Sequence, residues 1–268
     1  MKINTPSQKL LLQAKIFFKE EIAKLDRETM ERIYQISTEA DVLLYVVEDI
    51  NSATQIFELL NDRGRPLTDL EAIKSFLMYN VGLLSKNPNQ IIGNIQTNFG
   101  EIYRLIESNE LYEKDILRYH TIAFEGSDED PKKYIKTKIT NLIKKKPTEY
   151  VVETISNYAL KLKESFTIFV EIQKEKEKNK ELSKLFMIGR IAPFYPVMMK
   201  IKKEKEDNFN ELLKSINNFT FRASLIGLRS NAEGQISNSL RDNSDTIALI
   251  KAIVRDNWWN INGRVKDV

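Results

Sequence analysis

Apolar residues recur every three or four positions through nearly the whole chain, and this period constrains the fold more than any other feature. Leu10, Ala14, Phe17 and Phe18 show it near the start; Ile247, Ile250, Ile253 and Val254 show it near the end. Such a stripe is buried by packing helix on helix. The expected fold is therefore mainly α, a multi-helix bundle with at most one or two short strands. Helices are expected at about 6–25, 27–37, 52–62, 69–85, 89–107, 110–124, 131–145, 148–177, 179–190, 194–205, 208–229 and 244–258. One stretch departs from the period. Residues 41–49, DVLLYVVED, form an apolar run between acidic ends that suits a buried strand. A strand's backbone needs partners, so this one either pairs with something outside the chain or is an extended segment held by local contacts.

A chain of 268 residues, 42% apolar and 29% charged, has ample material for a core and a composition unlike disordered segments. It contains no Cys, which removes disulfides, thiolate nucleophiles and Cys-ligated metals and fits a reducing, cytoplasmic setting. No stretch approaches the roughly 18 consecutive apolar residues of a membrane span, so none is expected. The formal charge of +3 is small, and attraction to nucleic acid must come from local clustering. Composition shifts at 124–133, FEGSDEDPKK, which places an expected boundary between a helical part at 1–125 and a second helical part at 126–268. The mixed charges at 174–184 read as a solvated helix face.

The densest local signals lie at 56–74, IFELLNDRGRPLTDLEAIK. Ser52 and Gln55 have capping-box spacing, Gly64 supplies a left-handed stop, Pro66 stiffens the connector, and Thr68 with Glu71 opens the next helix with a second capping box. Two helices are expected to meet at a tight corner. Lys74 falls about 40° from Leu70, inside the apolar arc of Leu70, Ile73, Leu77, Met78 and Val81. Asn61 lies four residues after Phe57, at the edge of the first helix's apolar face. A buried ammonium and amide need partners. In one reading Lys74 reaches solvent or a carboxylate and Asn61 caps its own helix; in the other, Phe57, Asn61, Arg63, Gly64, Arg65 and Lys74 frame an anion site helped by the amides of residues 69 to 71.

The spacing Phe57, Asn61, Gly64, Leu67 resembles the Phe-x-x-x-Asn-x-x-Gly-x-x-Leu signature of the GmrSD-type family. ILRYHTIAF at 116–124 and FTFRASLIGLRSNAEG at 219–234 are similar to later parts of the same family, in the same order. Proteins of that family join a ParB-like N-terminal domain, linked to nucleotide binding and hydrolysis, to a C-terminal HNH-type nuclease, and many cut modified phage DNA. The resemblance implies a restriction and phage-defence role, a nucleoside triphosphate with magnesium as ligand, DNA as a partner, and a protein partner supplying the N-terminal or nuclease part. Residues 1–125 then correspond to the helical part of the GmrS-like domain and 126–268 to the helical connector. The family's Asp-Gly-Gln-Gln-Arg motif is missing, and the single histidine, His120, is too few for an HNH centre. The chain thus reads as a catalytically incomplete middle portion. The competing expectation is a non-enzymatic helical scaffold or regulatory subunit with a protein partner.

Residues 131–147, PKKYIKTKITNLIKKKP, carry Lys132, Lys133, Lys136, Lys138, Lys144, Lys145 and Lys146 without an acid. Ile135, Ile139, Leu142 and Ile143 form a stripe, so the lysines are expected on the opposite side, either as an ordinary solvated face or as contacts to DNA backbone. Arg222 and Arg229 share a side of one helix and either clamp a phosphate or pair with carboxylates. His120, among Ile116, Leu117 and Ile122, reads as a hydrogen-bonded structural residue, and Asp128 to Asp130 read as charge at the start of the helix opened by Pro131. No catalytic residue or metal ligand is assigned.

Overall fold

The computed structural model describes residues 6–41, 67–204, 208–225 and 240. The helices expected at 52–62 and 244–258 and the run from Val42 to Asp49 lie outside the described residues. Ten α-helices and one 3-10 turn make up the secondary structure among the described residues, and no strand is present there. The chain is mainly α, as the period predicts.

Helix α1 spans Pro6–Ala23 and α2 spans Arg27–Glu39. Asp26 caps α2, accepting from the Thr29 amide at 2.6 Å. Helix α3 spans Asp69–Leu84, α4 Pro88–Asn109, α5 Glu113–Glu125, α6 Pro131–Lys145 and α7 Thr148–Glu175. Helix α8 follows at Lys180–Ile188, then the 3-10 turn Ala192–Phe194, α9 at Tyr195–Glu204 and α10 at Phe209–Leu225. Local chemistry explains most ends. Pro occupies the first turn of α4 and α6, where its missing N–H costs nothing. Gly126 and Gly189 close α5 and α8 with left-handed backbone at φ 65° and 78°.

Helix α3 is the keystone of the core. Its Leu70, Ile73, Leu77 and Val81 are each 0% exposed, and α4, α5, α6 and α7 all pack against it. Burying each such side chain contributes roughly 1.5–3 kcal/mol, so this arc anchors α3 in the core. The long α7 runs beside α4 and contributes Val151, Ile155, Leu162, Phe166 and Phe169 to the same cluster. That cluster continues into Leu182 and Leu185 of α8, Val197 and Met198 of α9, and Leu212 and Ile216 of α10. The boundary expected at 125/126 therefore falls at a turn between α5 and α6, and one continuous core crosses it.

The first two helices differ from the rest. No described side chain of α1 or α2 is buried, and Leu11, Phe18 and Tyr34 stand 72%, 61% and 70% exposed. Among the described residues no helix is long and apolar enough to cross a membrane.

Candidate functional site

The second half of the corner is described, and its capping box forms as the spacing predicts. The Thr68 amide donates to Glu71 Oε2 at 2.8 Å, and the Glu71 amide donates to Thr68 Oγ1 at 3.3 Å. A carboxylate from a different helix completes the arrangement. Glu113, at the start of α5, lies beside the Thr68 hydroxyl and the Leu70 amide, both of which favour its charged form. The amides of residues 69 to 71, expected to serve an anion from outside, are thus partly taken by the chain's own oxygens. Burial pushes the Glu113 carboxyl above the ordinary range; the two donors pull it down, and the carboxylates of Glu71 and Asp69 push it up again. Asp69 in turn pairs with Lys132 of α6 at 3.0 Å, which raises the lysine's affinity for its proton.

Lys74 sits where the helical period puts it, half-buried on the core side of α3. Its Nζ lies 5.6 Å from the centroid of the Tyr103 ring on α4, a cation–π contact, and it has no ion pair with a carboxylate among the described residues. Tyr103 is held protonated by burial first and then by Glu71 and Glu113. Phe57, Asn61, Arg63, Gly64 and Arg65 lie outside the described residues. Asp69, Glu71 and Glu113 give the described side of the corner three carboxylates against Lys74 and the already paired Lys132. Among the described residues no cluster of His, Asp and Glu is arranged to hold a metal.

The lysine-rich helix α6 divides into two sets. Lys132 pairs with Asp69 at 3.0 Å. Lys138 pairs with Glu125, and Lys136 lies 5.4 Å from the Phe76 ring centroid. These three side chains fasten α6 to α3 and α5, which corrects the expectation that all seven project away from the docked face. The reason is geometric: α6 contacts α3, α5 and α7, so its packed surface is wider than the stripe of Ile135, Ile139, Leu142 and Ile143. Lys133, Lys144, Lys145 and Lys146 are exposed, and Lys146 lies 5.7 Å from the exposed ring of Tyr150. Asp130 caps the helix, accepting from the Lys133 amide at 2.8 Å. Burial and then Glu125 push Tyr134, on the inner side of α6, up to about 12.

No family model, curated protein or solved structure matches this chain.

What the site can do follows from its own side chains. Lys144, Lys145 and Lys146 close α6 at the negative end of its dipole, where cations are favoured. They form a short run of exposed positive charge on a helix held rigidly from behind. Such a surface can neutralise phosphates without reading bases. Arg222 belongs to α10, but its side chain, like Arg229, lies outside the described residues. The residues that sequence reasoning missed are the acids that tie the lysines down, Asp69 and Glu125, and the Glu113 carboxylate beside the start of α3. Glu125 lies thirteen residues before Lys138, and only folding brings the pair together.

Proposed function

We propose that this chain is a catalytically incomplete portion of a GmrSD-type restriction and phage-defence protein, acting in the cytoplasm, and that it holds DNA by its phosphate backbone. The observation that carries this reading is the division of the α6 lysines. Three are spent on docking, whereas Lys133, Lys144, Lys145 and Lys146 are left facing outward on an anchored helix. The signature Phe57, Asn61, Gly64, Leu67, followed at once by the box-capped α3, supports the family part of the proposal. Asn61, Arg63, Arg65 and Lys74 supply further phosphate contacts, and Arg222 with Arg229 a secondary one. Nuclease or hydrolytic chemistry belongs to a protein partner.

Fluorescence anisotropy with a labelled duplex at low salt tests this. The protein is expected to bind in the micromolar range, with little dependence on base sequence. The triple variant Lys144→Glu, Lys145→Glu, Lys146→Glu loses at least tenfold, and Arg63→Ala with Arg65→Ala loses a smaller factor. No binding at low salt, or an unchanged triple variant, contradicts the proposal.

A second reading, a helical scaffold for a protein partner, is favoured by α1 and α2. Met30, Ile33, Tyr34 and Ile36 gather on one side of α2, opposite Arg27, Glu28, Glu31 and Arg32, and stand 40% to 70% exposed. An amphipathic helix with its apolar side open suits an interface. The two readings coexist if that partner carries the missing catalytic part.

A further inference from the structure

We infer that the groove between α8 and α10 is a docking site for an acidic amphipathic helix of a partner protein. Helix α8 lies against α10 through Leu182, Leu185, Leu212 and Ile216, all 0% exposed. Along the outside of this seam runs a cavity of about 570 Å³ lined by Lys184, Met187, Ile188, Lys214, Asn217 and Phe221, among others. A second cavity of about 380 Å³ shares Glu181 and Lys214 with it and adds Lys178 and Lys180. Together they make one channel with an apolar end and a basic end.

The apolar end is built from side chains that a lone protein has reason to cover. Met187 is 85% exposed and Phe221 is 56% exposed, on either side of the seam. Met and Phe in a groove accept the apolar side of a helix, because the thioether adapts its shape and the ring supplies area. The basic end carries more lysines than acids. Glu175 is engaged by Lys202, and Glu181 is engaged by Lys184 at 2.8 Å. This leaves Lys178 and Lys180 without an ion pair among the described residues, while Lys214 lies near the same Glu181 carboxylate and adds to the pull that lowers it. Asn217 adds a polar fixture between the two ends. It is 7% exposed, and its Nδ2 donates to the Glu181 carbonyl at 2.8 Å and to Glu181 Oε2 at 3.0 Å. Its Oδ1 is buried with no donor among the described residues.

A channel that is apolar at one end and positive at the other selects its occupant by charge complementarity. An amphipathic helix lays Leu or Phe at i, i+3, i+4 and i+7 against Met187, Ile188 and Phe221, and turns its Glu and Asp toward Lys178, Lys180 and Lys214. Nucleic acid matches the basic end alone. The inference rests on neither the family resemblance nor DNA binding by α6.

The probe is a fluorescein-labelled synthetic helix of about five turns, with Leu and Phe at those spacings and Glu on its flanks, titrated by anisotropy against the full chain. Micromolar binding is expected. It should weaken at least tenfold in Met187→Glu with Phe221→Ser, and likewise in Lys180→Glu with Lys214→Glu. It should be unchanged in the α6 triple variant, so failure of the DNA proposal and failure of this one are separable. All four substituted side chains lie at the surface, and unaltered circular dichroism confirms the fold. Should a variant not fold, the same probe with its leucines changed to glutamine, on the unaltered protein, must lose binding. Equal binding of a scrambled peptide, no binding, or a poly-dT oligonucleotide displacing the peptide with higher affinity overturns the inference.

Discussion

His120 lies on α5 at 0% exposure, with Nδ1 2.7 Å from Ser165 Oγ on α7. Ser165 donates its own hydroxyl proton to the Lys161 carbonyl at 2.9 Å, so the imidazole carries hydrogen on Nδ1 and donates to the serine. Its Nε2 is buried and has no partner among the described residues. A charged imidazolium would place a second N–H there with no acceptor among the described residues. Burial first, then the nearby Lys203, Lys138 and Lys161, hold the group down at about 3 rather than 6.5. The unfolded chain therefore takes up a proton at a pH where the folded chain does not. Stability from this group is complete above about pH 6.5 and is lost as pH falls toward 3. Between pH 7 and pH 5 the loss is about 2 kcal/mol, to be read from urea denaturation at each pH. His120→Leu should flatten that dependence, at a baseline cost of roughly 1–3 kcal/mol for the broken contact. A pH dependence identical in both proteins would refute this. The structural role of His120 was legible because no motif surrounds it. Its partner was not, since Ser165 is forty-five residues away.

Helix ends were legible where a single residue type dictates them. Thr68 with Glu71 opens α3, and Pro131 opens α6 behind the Asp130 cap, both where the sequence places them. The start of α5 was misplaced, at 110 instead of Glu113, because α4 ends at Asn109 with Glu110 in left-handed backbone at φ 51°. No glycine announces that stop. A side chain in this conformation costs about 1 kcal/mol or more, so Glu110→Gly is expected to stabilise the protein by about 0.5–1 kcal/mol in urea denaturation. A destabilised variant would mean that the Glu110 side chain holds the turn by contacts of its own. Lys74 shows the same limit at the candidate site. Its place inside the apolar arc of α3 followed from periodicity, but Tyr103, which receives its charge, sits on α4. Helix α6 shows it most clearly, since a wheel of one helix cannot reveal that neighbours on two sides claim Lys132 and Lys138.

At the scale of the molecule, the all-α architecture and the helix order were written in the apolar period. The way the halves join was not. A composition shift at 124–133 marks the turn at Gly126, yet α7 beyond it packs along α4 before it, and the core runs through both. A polar stretch exposes where the chain surfaces; it does not reveal whether the flanking helices return to the same core. This arrangement gives α6 its rigidity, since it is clamped between α3, α5 and α7, with its last turn facing outward. The proposed DNA contact follows from that division between docking and outward lysines. Its most direct test is the salt dependence of duplex binding, measured in the unaltered protein and in two variants. In Lys144→Gln, Lys145→Gln, Lys146→Gln the slope of log K against log salt should become shallower by about 2.7, the value for three lost phosphate contacts at roughly 0.9 each. In Lys136→Gln, whose ammonium rests on the Phe76 ring, the slope should stay the same. Equal slopes in the unaltered protein and the triple variant would contradict the account.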